Sequence, residues 1–136
     1  MQWNSAQKFC NQENGHLADV QSSDENAAVA KVYPSSSNVA WIGLNNMQNK
    51  RDWMWKLYDS SVPSNYTKWI EGQPDNFSAA GEHCVEIILS MEYQGSNDSV
   101  GRWNDKSCHK TQPFVCKKGM AFRRQNPILK YNFQPP

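Results

Sequence analysis

The sequence predicts one α+β domain: two short helices first, then several strands, with a long polar loop among the strands. Three observations point there. Apolar residues recur at helical spacing near the start, at Ala6, Phe9 and Cys10, and again at Val29, Val32 and Tyr33. Short apolar runs of strand length follow, beginning with Val39-Ala40-Trp41-Ile42-Gly43-Leu44. From about Leu57 to His83 the chain is polar and rich in Ser, Asn, Gly and Pro, with Tyr66, Trp69 and Phe77 as aromatic punctuation. A loop this long inside a domain is uncommon and usually carries function.

The elements follow in order. Asn4 to Glu13 reads as a helix, and Asn14-Gly15 supplies a left-handed stop. His16 to Val20 alternates, as a strand or extended link does. A second helix opens at Ser22, with Glu25 three residues on as a capping box, and Pro34 ends it. Val39 to Leu44 is a buried strand, and Trp53-Met54-Trp55 a shorter one. Cys84 to Met91 is a strong strand candidate. Gly95 to Ser99 turns the chain, Val100 to Trp103 returns it, and Phe114 to Lys117 is the last strand. The domain therefore runs over 3–117. The tail, 118–136, is read as showing no periodicity and is expected to be extended or disordered, outside the core.

Composition narrows the function. With 136 residues there is one domain, and six Trp supply much of its apolar area. Mean hydropathy is −0.81, and no stretch approaches the length of a membrane span. Up to Cys116 there are 9 basic and 13 acidic residues, while from Lys117 on there are 5 basic residues and no acids. An acidic body argues against nucleic acid as a partner. Four Cys suit two disulfides, and spacing alone leaves three pairings open. No Cys-x-x-Cys supports a zinc or redox motif. Sequons for N-glycosylation begin at Asn65, Asn76 and Asn97 and raise the odds of a secreted context modestly.

The candidate site draws on three segments: Gln73-Pro74-Asp75-Asn76-Phe77, Glu82-His83-Cys84 and Trp103-Asn104-Asp105. They hold five oxygen-bearing side chains: Gln73, Asp75, Glu82, Asn104 and Asp105. Mixed amide and carboxylate oxygens are what Ca²⁺ takes. Pro74 suggests a tight turn, and a cis bond there would point both flanking side chains the same way. Alone, a Pro-Asp pair is an ordinary turn.

The ordered motifs are Trp3…Cys10, His16-Leu17-Ala18, Trp41-Ile42-Gly43-Leu44, Trp53-x-Trp55, Trp69-x-x-Gly72-Gln73-Pro74-Asp75-Asn76, Glu82-x-Cys84, Trp103-Asn104-Asp105 and Phe114-Val115-Cys116. Over nearly the whole chain they resemble a C-type lectin domain. The resemblance implies two helices flanking mixed antiparallel sheets, and disulfides Cys10–Cys116 and Cys84–Cys108. It implies one Ca²⁺ held by Gln73, Asp75, Glu82, Asn104 and Asp105, with two sugar hydroxyls binding at the ion. The Gln-Pro-Asp order is similar to galactose-type sites, in which an aromatic at the place of Phe77 stacks on the sugar. The function implied is Ca²⁺-dependent, non-catalytic binding of galactose-type glycans, outside the cell or on an ectodomain, in an oligomer or as part of a larger protein. The alternative is a protein- or surface-interaction domain on the same fold.

Three departures from that family stand out. Asn46, Lys50, Asn76 and His83 stand where an auxiliary Ca²⁺ site wants acids, so that second site is expected to be absent or very weak. The usual N-terminal strand, which pairs with the last strand, is missing; either the chain is a fragment, or another segment covers that edge. Only Ser78-Ala79-Ala80-Gly81 separates Phe77 from Glu82, without the Gly-rich insert of strong galactose binders, so galactose preference is expected to be modest.

Overall fold

The computed structural model describes residues 1–32, 38–77, 81–90, 99–118 and 128–132. Helix α1 (Trp3–Gln12) buries Trp3, Ala6, Gln7 and Cys10 at helical spacing, with Phe9 of the expected stripe only partly buried. It stops at Asn14, whose φ of 65° is left-handed. The Trp3 indole donates to Ile42 O at 2.9 Å. Gln7 Oε1 accepts from Leu17 N at 2.8 Å, which ties the helix to β1 (Gly15–Leu17).

Helix α2 (Ser23–Ala30) starts where expected. Ser22 Oγ accepts from Glu25 N at 3.2 Å, and the Glu25 carboxylate reaches back to Gln21 N at 2.8 Å. That is one residue further than a strict capping box, whose return bond goes to the cap itself. Val29 is buried as predicted and Val32 only partly, while Tyr33 and Pro34 lie outside the described residues. The unforeseen member of the buried face is Asn26. Its amide donates to Gly101 O at 2.7 Å and accepts from the Trp103 indole at 2.8 Å.

Strand β2 (Val39–Asn45) lies at the centre of the sheet. It pairs antiparallel with β3 (Met54–Lys56) and with β5 (Cys84–Ile88), and parallel with β7 (Phe114–Lys118) at Trp41↔Phe114. Gly43 is required there, since a Cβ would stand 2.9 Å from Leu17 O. β5 also pairs with β6 (Trp103–Lys106), in register Val85↔Asp105 and Glu86↔Asn104.

Three sequence expectations shift. The return strand begins at Trp103 rather than Val100, because Gly101, at φ 84°, turns the chain and donates to Ile88 O at 2.7 Å. β4 (Ser61–Pro63) pairs with β3 inside the stretch read as loop; three residues ending in Pro carry no strand pattern. Residues Ile128–Asn132 form β8, antiparallel on β7. A segment of the basic tail thus runs along the strand edge that the family's N-terminal strand was expected to cover. Met91 and the turn expected from Gly95 lie largely outside the described residues.

Two apolar clusters flank the sheet. One gathers Trp55, Trp103, Val85, Ile87 and Val29, and the other Trp3, Leu17, Trp41 and Phe114 with Cys10, Cys84 and Cys116. The disulfides are Cys10–Cys116 and Cys84–Cys108. The fully buried Lys117 is neutralised by Asp19 at 3.1 Å and Glu25 at 2.7 Å. Among the described residues no helix is long and apolar enough to cross a membrane.

The Cys84–Cys108 bridge joins the strand leaving Glu82 to the turn after Asp105. Opening it with paired Cys→Ser changes is expected to cost roughly 3.5 kcal/mol, and opening Cys10–Cys116 roughly 4–5 kcal/mol, in urea unfolding monitored by Trp fluorescence.

Candidate cation site

The site is assembled on the outer edge of β6. Trp103 N donates to Lys68 O at 2.8 Å and Ile70 N donates to Trp103 O at 2.9 Å, so residues 68–70 run beside that edge. Trp103 holds the strand from below, packed edge-on against Trp55, Tyr66 and Trp69. The chain then turns: Gln73 N donates to Ile70 O at 2.9 Å, with Gly72 at φ 86°. The Gln73–Pro74 peptide is cis.

After that turn the loop is fastened to one buried side chain. Asp105 Oδ1 accepts from Asp75 N at 3.2 Å and Oδ2 from Asn76 N at 2.7 Å. Asn76, at φ 53°, reverses the backbone. Phe77 N then donates to Asp75 Oδ1 at 3.2 Å and to Glu82 Oε1 at 3.1 Å. Glu82 N donates to Asn76 Oδ1 at 2.7 Å. Local hydrogen bonds therefore shape the loop before any ligand arrives.

The result is a concentration of negative charge. One carboxylate oxygen from each of Asp75, Glu82 and Asp105 lies within 4.8 Å of the other two. Burial is the main reason Glu82 is held above the usual carboxylate range; the Phe77 N–H pulls it down, and the charges of Asp105 and Asp75 push it up again. Burial likewise raises Asp105, against the Asn76 and Asp75 N–H groups that pull it down. Gln73 Nε2 donates to Asp75 Oδ2 at 3.3 Å. Its Oε1 is shielded from solvent and has no hydrogen-bond partner. An orphaned amide oxygen beside three converging carboxylates fits a hard divalent cation such as Ca²⁺.

The lectin C-type domain family profile matches residues 1–118. This chain belongs to the C-type lectin domain family. A C-type lectin of Micrurus corallinus is 35% identical over 120 residues, covering 85% of this chain and 69% of that protein. Versican core protein of Rattus norvegicus is 33% identical over 128 residues, covering 94% of this chain but 4% of versican. Among solved structures, the mouse scavenger receptor C-type lectin carbohydrate-recognition domain superposes with a TM-score of 0.68 at 29% identity, covering 85% of this chain and 80% of that one.

Within this lectin domain, Asn104 stands beside Asp105 on β6, and its Nδ2 donates to Glu86 Oε2 at 2.9 Å. Glu86 is fully buried. Sequence reasoning passed over it; the only signal was an acid inside the apolar run Cys84-Val85-Glu86-Ile87-Ile88. Phe77 is 84% exposed next to the carboxylates. At the expected auxiliary position, His83 Nδ1 and Asn46 Oδ1 are 3.0 Å apart, and Asn46 Nδ2 donates to Lys50 O at 3.1 Å. Asn65 and Asn76 are exposed, and Asn97 lies outside the described residues.

The raised values of Glu82 and Asp105 fix a sign. Their charged forms oppose folding of the calcium-free protein, and protonation relieves this as pH falls through the raised folded-state values. Glu82→Gln is therefore expected to raise the calcium-free melting temperature at pH 7, while weakening Ca²⁺ binding at least about tenfold. Thermal scans in chelator and calorimetric Ca²⁺ titration check the two signs.

Proposed function

We propose that this C-type lectin domain binds carbohydrate through a single Ca²⁺, with a preference for galactose and N-acetylgalactosamine. The observation that supports it most is the convergence of the Asp75, Glu82 and Asp105 carboxylates beside the unpartnered Gln73 oxygen. Gln73, Asp75, Glu82, Asn104 and Asp105 would hold the ion. When bound, Ca²⁺ supplies coordination positions for two neighbouring sugar hydroxyls.

The chain's own residues do the rest. Carboxylates accept from sugar hydroxyls and amide groups donate to them, so the order of the two types around the turn reads hydroxyl geometry. Here the amide of Gln73 comes before Pro74 and the carboxylate of Asp75 after it. Phe77 offers an apolar ring to the C–H face of the sugar, worth about 1 kcal/mol by burial and dispersion. A glycan on Asn76 would crowd that same ring. The reading is non-catalytic, since carboxylates committed to a metal are poor general acids. It also places the domain outside the cell, where one shallow site gains strength by multiple display.

Titrating Ca²⁺ with and without galactose, followed by Trp fluorescence, tests the proposal. A saturable galactose response only with Ca²⁺ is expected; Ca²⁺ binding with no saccharide response would favour a protein- or surface-interaction role instead. Sugar binding is expected to weaken as pH falls through the raised range of Glu82 and Asp105, because protons then compete with the ion. The double change Gln73→Glu with Asp75→Asn is expected to shift preference toward mannose on a glycan array. Phe77→Ala is expected to weaken galactose binding roughly fivefold while sparing Ca²⁺.

A further inference from the structure

We propose that Glu86 is a positioning residue for the cation site, acting through Asn104. The inference deepens the calcium reading and rests on it. Glu86 is fully buried in β5, directly across from Asn104 in the antiparallel register with β6. Its Oε2 receives Asn104 Nδ2 at 2.9 Å. A carboxylate accepts and an amide NH₂ donates, so this contact selects one of the two flipped orientations of the Asn104 amide. With Nδ2 turned inward to β5, Oδ1 is carried to the other side of the amide.

That other side is the outer edge of β6. Residues 68–70 run along it, and there Asp105 receives the Asp75 and Asn76 N–H groups. On this proposal Asn104 turns its oxygen, and not its NH₂, away from β5 and toward the segment that carries Gln73 and Asp75. A carboxylate imposes this choice where a carboxamide would not, because Gln can turn either its donor or its acceptor to Asn104. The buried acid in an otherwise apolar strand sets the polarity of its neighbour. A partner that orients a metal-binding side chain in this way commonly changes metal affinity by about ten- to hundredfold when lost.

The experiment is a double-mutant cycle on Ca²⁺ affinity with Glu86→Gln, Asn104→Ala and the double variant. It is joined by NMR of the Asn104 side-chain amide in calcium-free protein. Glu86→Gln is expected to weaken Ca²⁺ roughly tenfold. It should also shift the Asn104 amide protons and speed their exchange, with the calcium-free melting temperature little changed. The double variant should bind no more weakly than Asn104→Ala alone. Wild-type affinity in Glu86→Gln, or a Glu86 effect that persists in full on the Asn104→Ala background, overturns the inference and leaves the calcium reading intact. A wild-type protein that binds no Ca²⁺ defeats the calcium reading itself.

Discussion

The Asp105 carboxylate is the interaction on which the site's shape depends. It is buried, and it spends both oxygens on backbone N–H groups of a loop about thirty residues earlier in the chain. A buried carboxylate with no donors would be costly, and the loop satisfies it. The loop in turn has no apolar anchor of its own at 73–76, where the chain is mostly exposed. Each part therefore needs the other. The backbone of the Gln-Pro-Asp turn is ordered by the same side chain that contributes to the negative cluster.

That arrangement is held in place from the core outward. β6 pairs with the rest of the sheet through β5, and Trp103 is wedged among Trp55, Tyr66 and Trp69. Asn26 of α2 fixes both the Trp103 indole and the Gly101 carbonyl, so the second helix sets the height at which β6 begins. The Cys84–Cys108 bridge ties the strand after Glu82 to the turn after Asp105. Helix, strand and disulfide all limit how far the two halves of the site can drift apart. Oriented polar groups are useful only when drift of this kind is suppressed.

Much of this was legible in the residues, for reasons that differ by element. α1 and β2 are readable because their apolar spacing matches their geometry, and the Asn14 stop because few side chains tolerate a left-handed φ. Disulfide pairing was not readable from spacing and came from family resemblance; the five oxygen-bearing side chains could be collected from the residues, and the resemblance joined them into one ligand set. β4 was invisible because three residues cannot show a period. β8 was missed although Leu129-Lys130-Tyr131-Asn132-Phe133 alternates, because so short a run inside a basic, Pro-flanked tail was read as unpatterned; in the fold it pairs along the edge of β7. Asn26 and Glu86 were passed over because a polar residue inside a buried element reveals its partner only when distant segments meet.

Asn76 has a practical consequence for anyone preparing this domain. Its left-handed backbone suits Asn or Gly, its N–H is held by Asp105, and its side-chain oxygen receives the Glu82 N–H. Glycan-acceptor motifs are routinely erased by changing the Asn to Gln. At this position that exchange would swap a tolerated φ for a strained one and lengthen an acceptor that now fits. Erasing the motif at Ser78 instead removes the attachment signal and keeps Asn76 itself in place, so the choice of which letter to edit decides whether a deglycosylated preparation retains the Asn76 contacts.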